Sequence, residues 1–157
     1  MKIFVKRMRL PNGYIATFEI VKHPGAALIV PFVSKYKIIM LKQLRPVINS
    51  YIYELPAGTL GKRESPLSCA KREIVEETGY FAKRFTLLGK IYPAPGYTTE
   101  KIIIYKAEGL KEEGRLTEED EVIRCRTFTK SEIVRLFKAD RIVDAKTICA
   151  LAFCDWL

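Results

Sequence analysis

Residues 58–80 run Gly58, five residues, Glu64, seven residues, Arg72-Glu73-Ile74, one residue, Glu76-Glu77, one residue, Gly79-Tyr80, and no other stretch limits the fold as tightly. A helix turns about 100° per residue, so with Glu73 at zero Glu76 falls near 300° and Glu77 near 40°, inside one arc of about 100°. Leu67, Ala70 and Ile74 fall at about 120°, 60° and 100°, an apolar stripe beside an acidic edge. Ser65 suits the N-cap, Pro66 the first turn, and Gly79 the left-handed residue that ends a helix. The pattern predicts a helix over Pro66–Thr78.

Glu76 and Glu77 then lie near the helix C-terminus, where the macrodipole disfavours negative charge. A solvated helix face is the bland explanation. Such faces carry Glu and Lys in pairs four residues apart, whereas the pair at that spacing here is Glu73 with Glu77, which repel. The arrangement calls for a cation. Hard oxygen donors with room for water suit Mg²⁺ or Mn²⁺, and no His or Cys pattern suggests zinc.

On these residues, the segment from Gly58 to Tyr80 resembles the Nudix box at every charged and glycine position, with Tyr80 in place of the usual aliphatic residue. The resemblance implies an α/β class protein, an α/β/α sandwich with a mixed β-sheet, that hydrolyses a nucleoside diphosphate linked to another group. It further implies that Glu73, Glu76 and Glu77 bind two or three divalent ions, and that Arg72 holds a glutamate in position by an ion pair. Water activated by the cations would attack phosphorus.

Flanking residues narrow the resemblance to the ADP-ribose pyrophosphatase branch. Glu54-Leu55-Pro56-Ala57-Gly58, Gln43-Leu44-Arg45, and Ala94-Pro95-Gly96 with Glu100 carry it, and Pro95 lies sixteen residues past Gly79. It implies the Ala57 carbonyl as a metal ligand, Arg45 as a diphosphate or ribose contact, and Glu100 as a substrate contact. ADP-ribose would give AMP and ribose 5-phosphate. Ala94 replaces a common serine, which leaves the sugar open. Among Glu118-Glu119-Asp120-Glu121 the resemblance places the catalytic base, Glu119 first and Glu121 second; a solvated charged loop is the ordinary reading of such a run. Two other readings stand beside this one: a pyrophosphohydrolase of nucleoside triphosphates or RNA 5′ ends, and a non-catalytic ADP-ribose-binding regulator.

The rest of the 157 residues reads as one domain (24–157) behind an N-terminal β-hairpin (1–23). Asn12-Gly13 between strand-like runs 2–10 and 14–23 is a strong turn signal. Runs 27–33, 36–41, 85–92, 101–107 and 122–127 read as strands, and residues 129–137 and 144–156 as helices, the former opened by a Thr129/Glu132 capping box. The hairpin carries more apolar side chains than one face can bury. With the resemblance, that implies a homodimer in which Phe18 or Tyr14 stacks on adenine.

A net charge of +9 accompanies no Lys/Arg block interleaved with aromatics, which favours steering of a small anion over a nucleic-acid groove. The longest apolar run is too short to span a bilayer and no secretory segment is evident, so a cytoplasmic location is expected. Cys69, Cys125, Cys149 and Cys154 lack CxxC spacing. Cys69, at about 320° on the wheel, is expected to pack behind the acidic edge, and His23 to be structural.

Overall fold

The computed structural model describes residues 2–114 and 123–157. Strands β1 (Lys2–Arg9) and β2 (Ile15–Lys22) pair antiparallel in a two-stranded sheet of their own. At its turn Gly13 has φ 84° and Asn12 Oδ1 accepts from the Tyr14 N–H at 3.1 Å, so the Asn-Gly signal holds. The hairpin meets the main body through Val21, whose N–H donates to Tyr97 O and whose carbonyl accepts from Thr99 N.

A seven-stranded sheet forms the body: β3 (Ala26–Ser34), β4 (Lys37–Arg45), β5 (Ser50–Glu54), β6 (Ala57–Thr59), β7 (Tyr80–Ile91), β8 (Ile102–Glu112) and β9 (Ile123–Thr129). Its order is β5-β4-β3-β8-β7, with β6 paired to β3 and β9 to β4; β3 and β8 run parallel and the other pairs antiparallel. The sheet is mixed, as expected.

Side chains alternate across a strand, and β3 uses both directions. Ala26, Leu28, Val30 and Phe32 enter one core with Ile133, Leu151 and Trp156, whereas Ala27 and Ile29 enter a second with Cys69, Ala70 and Ile74. Helix α1 (Pro66–Thr78) therefore covers one face, and α2 (Lys130–Lys138) and α3 (Ala145–Phe153) the other. A strand covered on both faces reads as a continuous apolar run, which is why 27–33 shows no alternation in sequence.

Helix α1 has the predicted bounds. Ser65 accepts from Ser68 N, and Gly79 takes φ 76° while its N–H donates to Val75 O. The capping box at Thr129 forms in full. The sequence pattern predicts neither β5 nor β6. In addition, β7 starts at Tyr80 rather than 85, and β8 runs to Glu112 rather than 107. These additions depend on partners distant in sequence: Tyr80 to Ala82 pair with Glu112 to Leu110, and β6 pairs with Ala26 to Leu28. Among the described residues, no helix is long and apolar enough to cross a membrane.

Candidate active site

On α1 the acidic edge closes around Arg72. Its Nε and Nη2 donate to the two oxygens of Glu64 at 3.0 and 3.1 Å, while Nη1 donates to Glu73 Oε1 at 2.7 Å and Glu76 Oε2 at 2.8 Å. The Glu64 hydrogen bond, then the Glu73 and Glu76 carboxylates, outweigh burial and raise Arg72 above its ordinary value. In return, Arg72 and the Gly61 N–H hold Glu64 below the usual carboxylate range.

Glu73 presses on Gly58. A Cβ added at Gly58 would overlap the Glu73 carboxylate, so only glycine allows this approach. Glu77 is buried, and its Oε2 accepts from the Ala57 N–H at 2.9 Å. Cys69, fully buried behind this edge, donates from Sγ to the Gly58 carbonyl at 3.4 Å. Burial, and then the Glu73 and Glu64 charges, push its thiol up to about 11.

These contacts bear on whether the residues suit a divalent cation. Among the described residues, no three His, Cys, Asp or Glu side chains are gathered as an ion cage; Glu73 and Glu76 share Arg72 Nη1. The donor chemistry fits nonetheless: hard carboxylate oxygens on one helix edge, beside a glycine whose missing side chain makes room for one of them.

The segment Glu54 to Gly58 joins this edge to a second cluster, and each of its residues is tied elsewhere. The Leu55 N–H donates to Thr147 Oγ1 on α3 at 2.9 Å, and the Pro56 carbonyl accepts from Ile29 N on β3 at 2.8 Å. Glu54, only 1% exposed, receives Arg45 Nε and Nη2 at 2.5 and 2.7 Å and Lys146 Nζ at 2.5 Å. Lys146 also donates to Asp144 Oδ1 at 2.9 Å, and Asp144 caps α3 by accepting from Thr147 N. Burial works to raise the Glu54 carboxyl, but Arg45 and Lys146 overcome it and leave the group below its ordinary value.

The Glu54 cluster borders a cleft of about 390 Å³ through Arg45, Asp144 and Lys146, and Ala57, Gly58, Thr59 and Glu100 line it too. The acidic edge meets it through Gly58, on which Glu73 packs. The fold thus brings Arg45, Ala57 and Glu100 to one cleft beside Glu73, which abuts Gly58. Glu100 lies 3.7 Å from His23 Nδ1, and that nitrogen accepts from the Gly25 N–H. Phe18 lines a separate hollow of about 340 Å³ with Met8, Ile20 and Pro95, and Tyr14 is exposed. Neither lines the cleft within one chain. Glu119 and Glu121 lie outside the described residues.

The sequence motifs give no role to Glu54, Asp144 or Lys146. Signals for them exist: Glu54 is a carboxylate between Tyr53 and Leu55 in an apolar setting, where charge must be paired. Lys146 is a cation in the first turn of a helix, where the macrodipole opposes it.

Comparison with known proteins identifies the family. A NUDIX domain model matches residues 22–151. An ADP-ribose pyrophosphatase of Bacillus subtilis (strain 168) is 39% identical over 153 residues, covering 96% of this chain and 83% of that protein. A methanol dehydrogenase activator of Bacillus methanolicus is 37% identical over 155 residues, covering 98% and 84%. In fold, the chain is similar to a crystal structure of an ADP compounds hydrolase, with a TM-score of 0.85 at 24% identity over 98% of this chain and 83% of that one. Residues 22–151 take in the acidic edge, the cleft and the strands that frame them, and the chain belongs to the NUDIX domain family as a Nudix hydrolase.

Proposed function

We propose that the protein hydrolyses the diphosphate bond of ADP-ribose, or of a closely related nucleoside diphosphate sugar, to AMP and the sugar phosphate, ribose 5-phosphate in the first case. The carrying observation is that Arg45, Glu100 and the Ala57-Gly58 strand, against which Glu73 is packed, line the same cleft. The similarity to the Bacillus subtilis ADP-ribose pyrophosphatase supports the choice of substrate.

Two or three Mg²⁺ or Mn²⁺ ions, held by Glu73, Glu76, Glu77 and the Ala57 carbonyl, would neutralise diphosphate charge and lower the pKa of water. Arg72 holds Glu73 and Glu76 in position through Nη1, which donates to both. Arg45, with its guanidinium fixed by Glu54, binds the diphosphate or ribose, and Glu100 orients the substrate. Glu119, with Glu121 as the alternative, takes the proton of the attacking water.

The exposed Ile3, Phe4, Val5 and Ile15 of the β1–β2 hairpin support a twofold dimer in which Phe18 or Tyr14 reaches the partner's adenine. The activator relative favours a second reading, a regulator that binds the same ligand without turnover. Mass-spectrometric identification of products from a panel of nucleoside diphosphate derivatives with Mg²⁺ tests both. AMP with ribose 5-phosphate supports the first reading, and ligand binding without products supports the second. Release of pyrophosphate from nucleoside triphosphates would overturn both.

A further inference from the structure

Arg45 already neutralises the charge of Glu54, with one N–H on each carboxylate oxygen. Lys146 is a second cation on the same buried carboxylate. Stability is a poor reason for it, since a buried ion pair rarely outperforms an apolar replacement. Its position in the first turn of α3 is opposed by the helix dipole.

The donors explain the surplus. A guanidinium has five N–H groups and an ammonium three. Arg45 spends two on Glu54, and Lys146 spends one on Glu54 and one on Asp144. Counting partners among the described residues, three donors remain on Arg45, whose side chain is 42% exposed, and one on Lys146, at 18%, and both residues line the cleft. We infer that Lys146 is a substrate-binding residue: Glu54 is a buried pivot that holds Lys146 and Arg45 side by side, and the pair grips phosphate oxygens of the diphosphate from the side of the cleft away from α1. This inference rests on the diphosphate substrate proposed above.

Calorimetric titration with methylenebisphosphonate in Mg²⁺ buffer tests it without any turnover, because the P–C–P bridge resists hydrolysis. Loss of one charged hydrogen bond should weaken binding about tenfold in Lys146→Met, and Lys146→Arg should retain most of the affinity. Lys35→Met, which removes one positive charge from an exposed turn, controls for the general field and should change affinity less than about twofold. In steady-state kinetics on ADP-ribose, Lys146→Met should raise KM with kcat nearly unchanged. If Lys146→Met fails to fold, Lys146→Gln, which keeps a donor for Glu54, gives the same readout. Binding by Lys146→Met within twofold of wild type, a loss no larger than that of Lys35→Met, or no binding by the wild-type protein overturns the inference. Binding that follows this pattern, in a wild-type protein that leaves ADP-ribose intact, keeps the clamp and overturns the proposed reaction instead.

Discussion

Arg72 and Glu54 make opposite clusters on either side of one short strand. Arg72 is a cation ringed by three carboxylates and is 39% exposed; Glu54 is a carboxylate ringed by two cations and is 1% exposed. Arg72 and Glu76, at 39% and 37% exposed, have water as an alternative partner, so the ion pair between them can be exchanged at low cost. Glu54 has no such alternative, and its ion pairs must stay closed. One cluster is suited to exchanging partners during a reaction and the other to keeping its shape.

The largest expected effect lies on the acidic edge of α1, at the buried Glu77 beside the Arg72 cluster. Glu77→Gln should lower kcat by about 10³-fold or more while leaving the fold intact, since the amide can still accept from Ala57 N. Steady-state rates within tenfold of wild type would remove the acidic edge from the chemistry.

Stability should respond in the opposite place. Glu54→Ala leaves Arg45 and Lys146 facing each other without their shared carboxylate, and should cost about 3–5 kcal/mol in a guanidinium denaturation curve. The pH dependence has a definite sign. Glu54 is held below its unfolded value, so its contribution is complete above about pH 4.5 and fades as pH falls through the lower folded value. The gap in stability between wild type and Glu54→Gln should therefore be constant from pH 7 to 5 and shrink below about pH 4. A gap that widened on acidification would contradict the assignment.

Gly58→Ala probes the strand between the clusters. Displacing the Glu73 carboxylate should reduce kcat about 10- to 100-fold, with a smaller change in thermal midpoint. Unchanged kcat would show that the close approach is incidental. The smallest stability effect belongs to Glu64→Gln, which trims one partner of the exposed Arg72 and should shift unfolding by about 1 kcal/mol or less. A loss equal to that of Glu54→Ala would erase the contrast between the two clusters.

The same contrast governs what could be read from the chain. Helix α1, its two caps, the acidic edge and the hairpin turn depend on residues within a few positions of one another, so spacing reveals them. Strands β5 and β6 are visible only through their partners on β4 and β3. In the Glu54 cluster, bonded partners lie up to 92 positions apart, so no local pattern announces it. Arg45 and Glu100 came from resemblance rather than from spacing, and the fold places both on the cleft. Phe18 and Tyr14 also came from resemblance, and their proposed role depends on a second chain.

The run Glu54-Leu55-Pro56-Ala57-Gly58 has five consecutive residues tied in turn to Arg45 and Lys146, Thr147, Ile29, Glu77 and Cys69. Each tie comes from a different position along the chain, so none can slide to a neighbour when the count changes. An added or deleted residue would put every later atom out of step with its partner. Surface turns elsewhere in the molecule can lengthen without such a penalty. Length, more than composition, is therefore the property of this run that a descendant of the sequence must keep.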